Sequence, residues 1–345
     1  GLSQTSHNDR LDLQNAELVV LWGGNPAWNA QANAMYYYQQ AKRAGAEFVF
    51  IDPYYNDSAM VLADEWVPVR PGTDHALALG LAYALLDEDD PVTNPLIDWD
   101  FLNRCTVGFD REHMPHGAHP DDNVRDYVMG RRDGTPKTPE WATRICGVSA
   151  PRIRRLARRI ARARRAALLT AWAPARTHNT DSWPQMFLTL GCMTGHIGEP
   201  GRMTGVSCWE RTADGGPFLI RAGGSGTPSM QRVPRKTNAR INNSEIWDAV
   251  LEGEYTAGEG DRRKVDLRAI IHDGASALNQ TSGLVKGIEA HRKVDFVLTL
   301  NFVYNTNARY SDIVLPVTTQ WERHSYFKGN RDHLIWARRV VEPQF

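Results

Sequence analysis

Two short apolar runs, joined by a segment of helical length, constrain the fold of this chain more than any other feature. Residues Leu18 to Trp22 and Phe48 to Ile51 are rich in β-branched or aromatic side chains, as buried parallel strands are. Between them, Ala27 to Gly45 has the composition of a helix and enough length to cross over between parallel strands. The pattern therefore predicts a βαβ unit and, with it, an α/β fold.

The residues that end the two runs indicate what such a unit would bind. Gly23-Gly24-Asn25-Pro26 follows the first run and Asp52-Pro53 follows the second. Ligands of open α/β sheets bind outside the carboxyl ends of the strands. A Gly-Gly turn there lets backbone N–H groups approach a phosphate, and Asp52 can accept a hydrogen bond from a ribose or a base. Because the GxGxxG fingerprint is absent, an ordinary βαβ unit with a glycine turn explains the same residues equally well.

A second α/β pattern follows a long polar stretch. Residues 215–243 are rich in Gly, Ser, Pro and Arg and lack periodicity, so we expect a loop or linker there. Beyond it the sequence predicts three strands and a helix, at Val265–His272, Asp295–Leu300, Ile313–Leu315 and Gly283–His291. With 345 residues, the chain is long enough for about two domains. We therefore expect one domain at 1–214 and part of a second α/β domain at 244–345.

Charge and cysteine content argue against several classes of protein. Forty basic residues balance forty acidic ones, so we expect no nucleic-acid partner. The one basic cluster, Arg152 to Arg165, has apolar residues at helical spacing and predicts an amphipathic helix with a cationic solvent face. No CxxC occurs among the four cysteines, which argues against a zinc ribbon or a cysteine-bound iron–sulfur cluster built from this chain alone. No apolar run reaches transmembrane length, and without an initiator methionine the chain is expected to be a piece of a longer protein.

Four groups of segments occur in order along the chain: LWGGNP (Leu21–Pro26), IDP with PGTD (Ile51–Asp74), TAWAPARTHN with MTGHIGEPG (Thr170–Gly201), and ALNQ with YSDIVLPVTTQWER (Ala277–Arg323). Taken together, they resemble the central part of the large catalytic subunit of molybdopterin oxidoreductases, most closely in the dimethyl sulfoxide reductase family. The resemblance covers nearly the whole chain. It implies two Rossmann-like sheets, parallel or mixed and flanked by helices, each holding one guanine dinucleotide of a molybdenum bis(molybdopterin guanine dinucleotide) cofactor.

The resemblance also implies the cofactor-binding residues. In the first domain they are Trp22, Gly23, Gly24 and Asn25 at the pyrophosphate or pterin, Asp52 and Pro53 at the ribose and guanine, Gly72 and Asp74 of PGTD at the guanine edge, and Trp172 and Arg176 at the pterin. For the other dinucleotide arm they are Asn279, Gln280 and Asn301. No residue of this chain is implied as a catalytic group or a metal ligand. The molybdenum ligand and the iron–sulfur cluster of the family would lie upstream.

Several of these residues have simpler explanations without the family. Asp74, or Thr73 before it, fits the N-cap of a helix predicted over Asp74–Asp87. Trp172 fits a core residue, Asn279-Gln280 a turn, and Asn301 the end of a strand. The chain also departs from the family pattern, which often has Gly-Trp-Gly where Ala171-Trp172-Ala173 stands here.

The function implied for the intact enzyme is anaerobic respiration, by oxygen-atom transfer from an S-oxide or N-oxide substrate. Electrons would arrive through an iron–sulfur electron-transfer subunit, and a membrane anchor subunit would hold an exported complex at the membrane. The segment alone is expected to be inactive and to bind the dinucleotide arms weakly. Two alternatives remain: a noncatalytic scaffold homologue within a respiratory complex, which Ala171 and Ala173 favour, and a nicotinamide-dependent Rossmann dehydrogenase, which the absent GxGxxG disfavours.

Overall fold

The computed structural model describes residues 5–6, 8, 10–29, 34–178, 180–205, 234, 239–257, 260–274, 276–328 and 334–344. These residues fall into two compact units, the first ending at Gly205 and the second beginning at Pro234. The predicted linker at 215–243 lies mostly outside the described residues and stays a prediction, as do the domain limits. Cys208 also lies outside them.

A six-stranded sheet forms the centre of the first unit. Its strands are β1 (Thr5–Ser6), β2 (Leu18–Trp22), β3 (Glu47–Ile51), β4 (Glu65–Val67), β5 (Ala166–Thr170) and β6 (Met203–Gly205). The order across the sheet is β1-β6-β5-β2-β3-β4, and every pairing is parallel except that of β1 with β6. The strands predicted from the first two apolar runs are confirmed, and β2 lies between β3 and β5.

Helices cover both faces of this sheet. They are α1 (Pro26–Asn29), α2 (Ala34–Arg43), α3 (Asp57–Leu62), α4 (Asp74–Glu88), α5 (Trp99–Cys105), α6 (Val124–Val128), α7 (Pro139–Cys146), α8 (Ala150–Arg162) and α9 (Trp183–Met193). Alternate residues of β2 point to opposite faces. Val20 packs with Leu77 of α4 and Ile153 of α8, whereas Val19 packs with Tyr38 of α2. Both faces are therefore buried, as parallel sheets require, and the predicted α/β architecture is confirmed.

Helix α8 is the amphipathic helix that the basic cluster predicts. Its apolar residues Ile153, Leu156 and Ile160 are buried. Several of its arginines form ion pairs with carboxylates of neighbouring elements, for example Arg159 with Glu65 at 2.8 Å. The cationic face is thus largely matched by acidic residues of the same unit.

The second unit contains a three-stranded parallel sheet and two antiparallel strand pairs. Its elements are α10 (Ile246–Glu252), β7 (Glu254–Thr256), β8 (Arg262–Lys264), β9 (Ala269–Asp273), α11 (Ala277–Gln280), α12 (Leu284–Lys293), β10 (Phe296–Asn301), α13 (Thr306–Arg309), β11 (Ile313–Pro316), β12 (Ser325–Lys328) and β13 (Leu334–Ala337). The parallel sheet has the order β11-β10-β9, while β7 pairs with β8 and β12 with β13.

The first strand predicted in this half begins too early. The sequence indicated Val265–His272, but the strand starts at Ala269. The amide of Val265 donates to the Gly253 carbonyl at 2.8 Å, beside the β7–β8 pair, so this part of the run belongs to that pair. Apolar periodicity alone does not distinguish the two pairings. Within the described residues, no helix has the length and apolar character needed to span a bilayer.

Two histidines form a buried pair in the second unit. His272 of β9 and His291 of α12 bring their Nε2 atoms to 2.8 Å, with ring planes 9° apart. His291 Nδ1 donates to the Gly287 carbonyl at 2.6 Å, so neutral His291 accepts at Nε2 and His272 donates. Burial, with the neighbouring His291, lowers the pKa of His272 to about 4. Burial also lowers the pKa of His291.

We predict that this pair makes the second unit sensitive to acid. Below the ordinary histidine pKa of 6.5 the unfolded chain binds protons that the folded pair does not, so stability falls as the pH drops towards 4. For His272 alone the loss would reach about 3 kcal/mol. Urea unfolding between pH 4 and 7.5, with NMR titration of the ring protons, measures it. His272→Gln keeps an amide donor but cannot titrate, so a pH dependence as steep as that of the wild type would contradict the prediction.

Candidate functional site

A cavity of about 780 Å³ opens at the carboxyl edge of the first sheet. Its walls come from the loops that directly follow β2, β3 and β5, together with the turn before α4. Eight residues predicted from the sequence line it: Gly23, Asn25, Asp52, Pro53, Gly72, Asp74, Trp172 and Arg176. The structure therefore gathers residues that lie far apart in sequence around one space, where ligands of open α/β sheets bind.

The turn after β2 has a fixed backbone. Gly23 adopts a φ of +68°, a left-handed conformation that favours glycine. Its N–H donates to the Ile51 carbonyl at 2.8 Å, so that amide continues the sheet instead of facing the cavity. A Cβ at this position would lie 2.6 Å from Cγ of Pro174, which means that the loop after β5 packs directly on the turn.

Asn25 and Gly24 attach this turn to the start of α3. The Asn25 side-chain oxygen accepts from the Ser58 hydroxyl at 2.7 Å and from the Ser58 amide at 3.2 Å. The Asn56 amide group donates to the Gly24 carbonyl at 3.2 Å. In the described part of the chain, no group accepts from the backbone amides of Gly24 or Asn25. Of the two residues only Asn25 lines the cavity, so its amide is available to an anion there, while Gly24 is buried.

Asp52 stands at the end of β3 and faces the same cavity. Its side chain accepts from the Tyr54 amide at 2.9 Å, and its backbone carbonyl accepts from the Trp66 indole at 2.9 Å. Burial raises the pKa of the Asp52 carboxyl, and the charge of Asp74 contributes to the rise. The two carboxyl groups therefore lie close enough to interact.

Asp74 is the first residue of α4 and is 6% exposed. Its Oδ1 accepts from the Trp22 indole N–H at 2.7 Å. Burial raises the pKa of Asp74, and the hydrogen bond from Trp22 opposes that rise. The N-cap position belongs to Thr73, whose hydroxyl donates to the Arg70 carbonyl instead of capping the helix. The interpretation of Asp74 as the N-cap is therefore wrong.

Trp22 itself does not line the cavity, and Gly24 is buried beneath the turn. The indole of Trp22 is 1% exposed and packs edge-on against Trp183, with ring centroids 4.9 Å apart. Its polar contact with the site is the bond to Asp74.

The loop after β5 supplies the opposite wall. A turn of 3-10 helix at Ala173–Ala175 carries Trp172 and Arg176 to the cavity. Arg176 is exposed and makes no ion pair with a described residue. The methyl group of Ala171 is buried in the core beside Leu169, so this departure from the family pattern does not narrow the cavity, whereas Ala173 lines it.

Sequence reasoning missed several lining residues. They are Tyr54, Asn56, Pro71, Ala173, Pro174 and Thr177. Tyr54 and Asn56 follow Asp52 in the same loop, so the rule that placed Asp52 at the carboxyl edge contained the signal for them. The exposed ring of Tyr54 offers a flat surface beside the two carboxylates.

The residues predicted for the other dinucleotide arm lie in the second unit. Asn279 and Gln280 are exposed in α11. Asn301 ends β10, is 4% exposed, and accepts from the Val303 amide at 3.3 Å. The carboxyl-edge position predicted for Asn301 is the one the structure has, while a role in binding stays a prediction for all three.

A second cavity, of about 630 Å³, lies at the amino edge of the first sheet. Glu17 and Glu47 line it together with four arginines of α8. Arg155, Arg158 and Arg159 are ion-paired with glutamates, and Arg162 donates to the Asn94 side chain at 2.9 Å. Within the described residues, no group of three or more His, Cys, Asp or Glu side chains is arranged to hold a metal.

The carboxyl-edge cavity fits a nucleotide-bearing group. The buried carboxylate of Asp74 and the half-buried carboxylate of Asp52 can accept from the N–H groups of a base. The Asn25 amide and the Arg176 guanidinium can bind phosphates, and the exposed Tyr54 ring can stack. Neither carboxylate is ion-paired within the described part of the chain. A ligand with hydrogen-bond donors would therefore satisfy groups that the protein leaves open.

These features belong to a known class of protein. The family model for molybdopterin oxidoreductases matches residues 2–345, and the chain belongs to that family. The resemblance seen in the sequence is therefore confirmed. Membership implies a molybdenum–pterin cofactor, which disfavours the alternative of a nicotinamide-dependent dehydrogenase.

Individual relatives narrow the comparison. Dimethyl sulfoxide reductase DmsA of Haemophilus influenzae is 32% identical over 98% of this chain and 42% of its own length. A trimethylamine-N-oxide reductase of Salmonella typhimurium is 32% identical over 97% of this chain and 40% of its own length. The acetylene hydratase of Pelobacter acetylenicus has a similar fold, with a TM-score of 0.61 at 18% identity over 96% of this chain and 45% of that protein. The chain thus spans less than half the length of these relatives.

We predict that Gly23→Ala disrupts the cavity wall and costs about 3 kcal/mol of unfolding free energy, since a left-handed Ala costs roughly 1–2 kcal/mol and the clash with Pro174 adds to it. Gly45→Ala is the matched control, because Gly45 also has a positive φ but nothing lies within 4 Å of its Cβ. Urea unfolding measures both variants. Equal losses would contradict the close contact between Gly23 and Pro174.

Proposed function

We propose that this chain is the central cofactor-binding portion of a molybdenum bis(molybdopterin guanine dinucleotide) oxidoreductase. The observation that carries the proposal is the pair of carboxylates, half-buried Asp52 and buried Asp74, that line one cavity at the carboxyl edge of the first sheet. Guanine presents an N1–H and an amino group on one edge, and one carboxylate can accept from both. This donor pattern matches the acceptors of the cavity.

In this proposal Asp74 accepts from the guanine edge. Asp52 accepts from the ribose or the base, and Tyr54 stacks on the base from the cavity mouth. The Asn25 amide binds a phosphate oxygen of the same arm. Arg176 adds a cation on the opposite wall, where a phosphate or the pterin would approach.

The second dinucleotide arm would bind to the second unit. Asn279 and Gln280 come after β9, and Asn301 ends β10 of the same parallel sheet, which supports a site at that carboxyl edge. We therefore propose that residues 1–214 bind one guanine dinucleotide arm of the cofactor and that residues 244–345 contribute to binding the other.

The intact enzyme would reduce S-oxides or N-oxides. The names of the reductases from Haemophilus influenzae and Salmonella typhimurium support this substrate class. When bound, the molybdenum centre would supply oxygen-atom transfer, while this chain orients the cofactor and sets its electrostatic surroundings. We further propose that the intact enzyme works with an iron–sulfur electron-transfer subunit and a membrane anchor subunit, as an exported complex attached to the membrane. Its own iron–sulfur cluster would lie only in a domain upstream of this chain.

A noncatalytic scaffold homologue is the second candidate. Ala173 favours it, because its methyl group occupies cavity space where the family often has glycine. Ala171 does not support this candidate, because its methyl group is buried in the core and takes no space in the cavity.

Metal and nucleotide analysis of the full-length parent, purified anaerobically, tests the proposal. We expect about one molybdenum or tungsten and about two GMP released per chain on acid hydrolysis. A folded protein with neither metal nor GMP would favour the scaffold.

We predict that Asp74→Asn in the full-length parent lowers the GMP content and weakens the binding of GMP to the cofactor-free protein by roughly 10- to 100-fold, because hydrogen bonds to a charged acceptor contribute about 1.5–3 kcal/mol. Asp87→Asn is the matched control, since Asp87 lies on the same helix and pairs with Arg154 away from the cavity. Equilibrium dialysis measures the affinities. Equal affinity in the two variants would exclude Asp74 from the guanine site.

A further inference from the structure

We infer that Trp22 is a positioning residue that holds the Asp74 carboxylate as a fixed acceptor and thereby sets the base specificity of the cavity. The inference rests on the proposed guanine dinucleotide function. Trp22 stands in the sequence beside the glycine turn, yet its ring lies beneath the site and reaches it through a single hydrogen bond.

Pairing within the sheet holds the donor residue, Trp22, in position. Trp22 is the last residue of β2 and pairs in register with Ile51 on one side and Thr170 on the other. Its carbonyl accepts from the Ala171 amide at 3.1 Å and from the Thr170 hydroxyl at 2.9 Å. The indole ring is held between the sheet and the aromatic side chains of α9.

The acceptor depends on that donor. Asp74 is buried at the start of α4, and in the part of the chain that the structure describes its one side-chain partner is the Trp22 indole, at 2.7 Å. An indole N–H only donates, so it favours the ionised form of the carboxyl and fixes Oδ1. The carboxylate keeps further lone pairs for ligand donors.

A fixed, ionised carboxylate discriminates between purines. It accepts from the N1–H and amino group of guanine but faces the unprotonated N1 of adenine, where two acceptors repel each other. Without the indole, the pKa of the Asp74 carboxyl rises further, because the hydrogen bond from its own backbone amide then alone opposes the effect of burial. A protonated carboxyl can turn to donate to adenine N1. Loss of the Trp22 donor is therefore expected to relax the preference for guanine, most strongly at low pH.

Trp183 provides the matched control. It is 0% exposed, belongs to the same aromatic cluster, and donates its indole N–H to the Thr170 hydroxyl at 3.2 Å. Trp183→Phe removes the same kind of ring and the same kind of donor as Trp22→Phe, but it leaves the bond to Asp74 in place.

The experiment measures GMP and AMP affinities of the cofactor-free full-length parent by equilibrium dialysis from pH 5 to 8. We expect the wild type to bind GMP more tightly than AMP. Trp22→Phe is expected to reduce the ratio of GMP affinity to AMP affinity roughly tenfold, which corresponds to the loss of one hydrogen bond to a charged group. The midpoint of the loss of GMP binding with falling pH moves to higher pH. Trp183→Phe keeps both the ratio and the midpoint.

If Trp22→Phe left both the affinity ratio and the pH midpoint of GMP binding unchanged, the inference would be overturned, but the proposed guanine site would not. A wild type that binds neither nucleotide would overturn the proposed function itself, and the inference with it. If Trp22→Phe does not fold, benzothienylalanine incorporated at position 22 keeps the ring shape and removes only the N–H. The same loss of the guanine preference is then required.

Discussion

The pairing of β2 with parallel strands on both sides is the constraint on which the first unit depends. Trp22 is level with Ile51 of β3 and with Thr170 of β5, so all three strands end at one height. The loops that follow them must therefore meet at one edge. Every residue of β2 is buried, which requires helices on both faces. The position of the cavity is thus a consequence of how this strand buries its side chains.

Much of this arrangement could be predicted from local sequence. The apolar runs gave β2 and β3 almost to the residue, and the carboxyl-edge rule located Gly23 and Asp52 at the site. Residues whose place depends on long-range packing could not be assigned in the same way. Thr177 reaches the cavity only because β5, far along the chain, pairs with β2. Trp22 could not be assigned to the layer beneath the site, because a fully buried strand has no polar face that would reveal which side chains point towards α4.

The second unit illustrates a different limit. Apolar alternation from Val265 to His272 is compatible with one strand. In the structure, however, the start of this run is hydrogen-bonded beside the β7–β8 pair, and its end belongs to β9 of the parallel sheet. Hydrogen bonding to a partner strand, not periodicity, decides where a strand begins. The buried histidine pair was equally invisible, because His272 and His291 lie on different elements and only the packing of α12 on β9 brings their rings together.

The electrostatics of the cavity separate it from ordinary structural packing. Two carboxyl groups share a partly buried space. Asp74 accepts from the Trp22 indole and its own backbone amide, and Asp52 accepts from the Tyr54 amide and the Asn56 side chain. Burial raises the pKa of both, so the arrangement contributes little to folding stability and disfavours the charged forms. Carboxyl groups with a raised pKa in a cleft mark a candidate ligand site. In the function proposed above, a guanine edge would donate to Asp74, while Arg176 and the Asn25 amide would bind the pyrophosphate of the same arm.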